Sequence, residues 1–187
     1  GHHDHAGAAR ALSGLLGVPV LGPAGVPQVD VSLADGDEVP TDLGALVAVH
    51  TPGHSADHLS YYWPSRRALF VGDLMLGRGD TTWVGEYPGC VADYLASLRR
   101  VRALAPEILY PAHGPPIQDV PAALERYERH RRERIHQVET ALADRPDATA
   151  EDLVRAVYGI ELPSAVRQAA TLSLQALVDH VRSPANR

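Results

Sequence analysis

Cysteine occurs once in 187 residues, at Cys90, which excludes an intrachain disulfide and any thiolate-rich metal site. Lysine is missing altogether. All 17 basic residues are arginine, a bias expected of a high-GC bacterial genome and unrelated to function. Basic charge is also in deficit against 23 acidic residues, and the formal net charge of −6 gives no global attraction to nucleic acid or anionic membrane. No apolar run reaches the ~18 residues of a membrane span. No secretory leader is visible, and the reading expects a cytoplasmic protein.

What the chain has in abundance is imidazole, and it begins at once. Gly1-His2-His3-Asp4-His5-Ala6-Gly7 places three histidines and an aspartate at positions 2–5. Imidazole nitrogen and carboxylate oxygen are the donors a first-row ion takes when no thiolate is available. Residues so closely spaced cannot complete a site, so further ligands must come from downstream. Three candidates share one context: His54, Asp73 and His113 each follow an apolar strand-like run beside Gly or Pro. Strand ends that open into loops are where an α/β scaffold presents functional side chains. Alone, His54 or His113 reads more readily as a capping or loop histidine than as a ligand, Asp73 as a turn residue, and His2-His3 as a remnant of an expression tag. Asp4-His5-Ala6-Gly7 fits no tag.

Around these residues the pattern predicts mixed α/β structure. A helix over 6–16 ends at Gly17, and short strands follow at Val18–Leu21, in VDVSL and after DGDEV. Strands are expected at Ala45–His50, from His58 through HLSYYW, in ALFVG before Asp73, and at Glu107–Tyr110. Residues 77–89 form a Gly-rich loop, and 91–104 carry apolar residues at helical spacing. From Pro121 the chain is nearly all helix: one segment to about Ala143, a second over Ala150–Val157 capped by Thr149, and a third from Pro163 to about Val181. The change of character places a domain boundary near Asp119–Ala122, giving domains 1–119 and 120–187. His50 is read as structural, His130, His136 and His180 as solvated or packing residues, and Cys90 as a core residue opening a helix.

The order HxDH, TPGH, GD and AHG, ending in YPAHGPPI, resembles the metallo-β-lactamase superfamily. The resemblance covers residues 2–119 and implies the second half of that family's αββα sandwich. Aligned on Asp4-His5, the family motif's first histidine falls one position before Gly1, so more chain is expected upstream, and His3 takes a variable position. The resemblance then implies one metal site containing His2 and His54, a second with Asp4, His5 and His113, and Asp73 bridging both. Asp4 and Asp73 are the carboxylates expected to serve catalysis. His58, Thr81 and Thr82 are expected to orient ligands or contact substrate. The implied cofactor is a pair of zinc ions, with Mn or Fe compatible with the same donors. Such a pair lowers the pKa of a shared water toward ~7, so the implied activity is hydrolysis by a bridging hydroxide.

The C-terminal segment, with GRGDTTW and DYLASLRRVRAL, resembles the β-lactamase-like protein 2 branch and its helical winged-helix appendage, here without the wing. That branch implies a small-molecule thioester or related ester as substrate, or RNA, since it includes an endoribonuclease. A metal-binding or interaction protein without catalysis is the third reading. Arg126, Arg129, Arg131, Arg132 and Arg134 form a basic cluster, but Glu125, Glu128, Glu133 and Glu139 sit among them at helical spacing. The plainer reading is a solvated face laced with ion pairs. No membrane partner is expected, and oligomeric state is not encoded in any feature we can read.

Overall fold

Strand pairing divides the chain. The computed structural model describes residues 2–159 and 162–184, without the side chains of His3, Ser164 and Ala165. Two helices come first, α1 (His3–Ala6) and α2 (Ala9–Leu16). A small parallel pair follows, β1 (Leu21–Pro23) with β2 (Val31–Leu33). The main sheet has the order β3-β4-β5-β6-β7, made of β3 (Glu38–Thr41), β4 (Gly44–His50), β5 (Leu59–Trp63), β6 (Ala68–Gly72) and β7 (Ile108–Pro111). Neighbours from β3 to β6 are antiparallel and joined by short connections. β6 and β7 are parallel, so they need a long crossover. It carries residues 73–89 and α3 (Cys90–Leu104).

Alternation decides which sheet face is covered. Leu69 and Val71 on β6 and Leu109 on β7 point to α3 and are fully buried. Tyr61, Phe70 and Tyr110 stand in one cross-strand row on the other face, where Phe70 and Tyr110 stack at 5.2 Å between ring centroids. A helix-covered face backed by an aromatic row is what half of an αββα sandwich presents.

Three helices complete the chain: α4 (Val120–Asp144), α5 (Ala150–Tyr158) and α6 (Ser164–Arg182). Asp119 caps α4 through the Ala122 N–H, and Thr149 caps α5 in a reciprocal box with Asp152. Buried apolar residues form one cluster that runs from Leu69 and Val71 through Tyr94, Leu98 and Tyr127 to Leu153, Leu174 and Leu177. Among the described residues no strand follows α6, and no helix is long and apolar enough to cross a membrane.

The expected elements recur with two differences. The first strand lies at Leu21–Pro23 instead of Val18–Leu21, because its partner β2 sets the ladder. The helix expected over 6–16 is two pieces, since the first motif coils into its own turn before Ala9. Four of the five clustered arginines are accounted for on α4. Arg132 pairs with Glu128 at 2.8 Å, Arg129 with Glu133 at 3.9 Å, Arg134 donates to the Val157 carbonyl, and Arg131 is buried.

Candidate metal centre

Asp73 sits where β6 stops, and the structure holds it from several directions. Its backbone N–H donates to Nε2 of His58 at 3.2 Å. The residues that follow are pinned by two tyrosines: Tyr94 donates its hydroxyl to the Leu74 carbonyl, and Tyr127 bridges the Leu76 N–H and C=O. The carboxylate is therefore fixed, and only 7% of the residue is exposed.

Two donor groups converge on it. Asp4, His5, Asp73 and His113 form one, with ligand atoms within 4.8 Å of one another; His2, His54 and Asp73 form the other within the same limit. Nε2 of His5 lies 2.7 Å from Asp73 Oδ2, and Nε2 of His113 lies 3.3 Å from Asp4 Oδ2 and 3.6 Å from Asp73 Oδ1. Nε2 of His54 stands 3.1 Å from Nδ1 of His2 and 3.6 Å from Asp73 Oδ2. The residues come from α1, the loop after β4, the end of β6 and the end of β7. All six residues proposed from the sequence as ligands are thus in one place, with Asp73 common to both groups.

Hydrogen bonds fix which nitrogens face inward. A carbonyl only accepts, so the Trp83 carbonyl, 2.9 Å from His54 Nδ1, requires the proton there and leaves Nε2 a bare lone pair. Burial also holds the His54 pKa below its ordinary value, against the opposing pull of that carbonyl. Glu86 Oε1 does the same to His2, at 3.1 Å from Nε2, and turns Nδ1 into the acceptor. Nε2 of His54 and Nδ1 of His2 thus face each other at 3.1 Å, close enough for one cation to be shared between them. Asp73 Oδ1 is buried with no hydrogen-bond partner among the described residues, a costly state for a carboxylate oxygen. Burial pushes the Asp4 carboxyl up, but His5, its own backbone N–H and His113 outweigh this and hold it below the usual range. The donor set fits divalent cations of the zinc, manganese or iron type.

His58 does not face the groups as a donor. It is half-buried, donates from Nδ1 to Thr51 Oγ1 at 2.9 Å, and takes the Asp73 N–H on Nε2. Burial pushes its pKa down to about 4, so the ring is neutral, as both bonds demand. Gly72, at φ +55°, makes room: a Cβ there would lie 2.6 Å from His58 Nε2.

Thr81 and Thr82 make no hydrogen bond to the donor residues among the described contacts. The Thr81 hydroxyl donates to the Thr82 carbonyl, and that carbonyl also accepts from Arg131. The same loop reaches the centre through Trp83 and Glu86 instead. Neither was legible beforehand: one acts by its backbone carbonyl, and the other is a lone glutamate 84 positions from its partner. His50 donates to or accepts from no donor group; its Nε2 meets the Ala56 carbonyl. Cys90 is buried at the start of α3, and burial raises its thiol pKa.

A cavity of about 510 Å³ opens beside His2, His5, His54 and Asp73 and runs over the aromatic row of the sheet. The model of the metallo-beta-lactamase superfamily matches residues 1–113. The chain belongs to that superfamily. Its relatives include a beta-lactamase-like protein 2 homolog of Caenorhabditis elegans, 38% identical over 73% of this chain and 44% of its own. Another is an atrochrysone carboxyl ACP thioesterase of Aspergillus fumigatus, 32% identical over 80% of this chain and 36% of its own. A metallo-beta-lactamase family protein of Thermus thermophilus superposes with a TM-score of 0.71 at 26% identity, over 83% of this chain and 50% of that one. A beta-lactamase domain protein of Burkholderia ambifaria gives a TM-score of 0.71 at 25% identity, over 85% and 48%. The chain spans less than half the length of the curated relatives named here.

Proposed function

We propose that this superfamily member is a metal-dependent hydrolase of thioesters or related small esters, with two divalent cations held around Asp73. The observation that carries the reading is the membership of Asp73 in both donor groups, with its Oδ1 buried and accepting no hydrogen bond. His2, His54 and Asp73 would hold one ion; Asp4, His5, His113 and Asp73 would hold the other. Zinc is the first choice for these donors, with manganese and iron alternatives of the same chemistry. When bound, such ions supply Lewis acidity toward a carbonyl oxygen and a nucleophile competent near neutral pH.

The protein's own part is electrostatic and geometric. Asp4 and Asp73 would bring negative charge to two cations, with Asp73 contributing to both. Trp83 and Glu86 hold the His54 and His2 rings so that Nε2 of His54 and Nδ1 of His2 face each other. The helices 120–187 are a second unit in this reading, packed against the first. A relative named as an acyl-carrier thioesterase supports the ester class over RNA. So does the pairing of Arg129 and Arg132 with glutamates and the burial of Arg131, which leave little free cationic surface on α4.

The test is metal content followed by acyl-thioester hydrolysis, read as released thiol. Two equivalents of metal per chain, and thiol release abolished in Asp73→Asn, are expected. Trace metal in the parent protein would overturn the reading. Full metal with no thioester turnover but cleavage of single-stranded RNA would replace the substrate class.

A further inference from the structure

The segment 82–86 is bonded to the metal centre on one side and to the C-terminal helices on the other. Toward the centre, the Trp83 carbonyl accepts from His54 and Glu86 accepts from His2, at 2.9 and 3.1 Å. Toward the helices, the Trp83 indole N–H donates to the Ala169 carbonyl of α6 at 3.1 Å. Arg131 of α4, itself 3% exposed and lying over the Tyr94 ring, donates to the Thr82 carbonyl at 3.1 Å. Gly85 rests directly on α6: a Cβ there would lie 2.8 Å from the Ser173 nitrogen and 2.9 Å from the Leu172 carbonyl carbon. Val84 between them is fully buried.

The support is one-sided. His2 and His54 are the two imidazoles of a single donor group, and both are held by this segment. The histidines of the other group are held elsewhere: His5 by Asp73 and Asp4, and His113 at the end of β7, where its carbonyl accepts the Gly77 N–H. Among the described contacts, none joins either of them to 82–86.

We propose that α6, acting through Trp83 and Glu86, is the positioning element of the His2–His54–Asp73 site and sets its metal affinity separately from that of the Asp4–His5–Asp73–His113 site. The inference rests on the two-site reading above. Partners behind a liganding histidine change metal affinity by roughly 10–100-fold, and here both sets of partners converge on one helix.

The experiment is a Co²⁺ titration of the full chain against a chromophoric chelator, resolving two affinities and the visible spectrum of each equivalent. Trp83→Phe keeps the ring and removes the bond to Ala169; Gly85→Ala lifts the segment off α6. Leu104→Ala, at the far end of α3 and packed against the core, is the control for general destabilisation. Both segment variants should weaken one affinity by roughly tenfold and alter its spectrum, with the other affinity unchanged. Leu104→Ala should lower Tm and leave both affinities intact. Trp83→Phe keeps the inference testable if Gly85→Ala does not fold. Two unchanged affinities in Trp83→Phe, or two that fall together, overturn the inference while the two-site reading stands. A parent chain that binds no Co²⁺ removes both.

Discussion

The backbone N–H of Asp73 ends on Nε2 of His58, so the residue shared by both donor groups is positioned by a histidine that joins neither. The bond works because His58 is neutral and its other nitrogen is engaged by Thr51, which in turn meets Ser60 at 2.7 Å. A chain of buried polar groups thus runs from β5 to the metal centre.

His58→Ala should therefore damage both stability and metal binding. It leaves the Asp73 N–H without an acceptor and opens a hole beneath Gly72, costing roughly 2–4 kcal/mol. Metal affinity should fall roughly 10–100-fold, as for other partners that orient a ligand. Urea denaturation and a chelator competition measure the two effects. A variant with parental affinity would show that the Asp73 N–H has no part in orienting the carboxylate.

Membership in both donor groups separates Asp73 from the other donor residues. Asp73→Asn keeps the shape and removes the charge, and should empty both groups after dialysis. His113→Ala should cost only the ion of its own group and retain about one equivalent by the logic of separate ligand sets. Elemental analysis of the two dialysed proteins decides this. Equal losses would mean that the two groups do not fill independently.

How much of this was legible in the chain follows from what kind of atom does the work. Ligand side chains are visible by type, and His54, Asp73 and His113 also stand at the ends of apolar strands, where burial patterns in the sequence point. Thr149 is visible as a cap for the same reason, since its partner Asp152 is three residues away. Trp83 was hidden because a backbone carbonyl has no residue signature. Glu86 was hidden because its partner is remote in sequence and the loop between them is irregular. Thr81 and Thr82 were named through the family resemblance; the contacts described for them are the Thr81 hydroxyl and the Arg131 guanidinium, both donating to the Thr82 carbonyl. The shift of β1 has a related cause: Val20 gives its carbonyl to Asp30 and Val31, and only that partner fixes where the ladder starts.

The cap of α5 makes a pH prediction. The Thr149 hydroxyl and backbone N–H both donate to the Asp152 carboxylate and hold its pKa below the ordinary value. A depressed folded-state pKa adds stability above the unfolded value, about 3.9. That contribution is lost as pH falls through the folded value. Asp152→Asn should accordingly narrow the Tm difference from the parent between about pH 5 and pH 2. Thr149→Ala should cost roughly 1 kcal/mol near neutral pH. Thermal melts across that range measure both, and a constant offset at all pH values would refute the linkage.

Metal removal makes the largest prediction, because it leaves the donors crowded around the buried Asp73 carboxylate with no cation between them. Asp73 Oδ1 accepts no hydrogen bond and has the His113 imidazole only at 3.6 Å, while ring nitrogens of His2 and His54 face each other. A ligand at a hundred times its Kd adds about 2.7 kcal/mol per site. In a chain of this size each kcal/mol moves Tm by about 2–4 °C. Chelation of both ions should then lower Tm by roughly 10–20 °C, with recovery on adding zinc. Added zinc should barely move the Tm of Asp73→Asn, which lacks the charge common to both donor groups. If parent and chelated parent melt together, the carboxylate is satisfied by something other than a cation, and the metal reading falls with it.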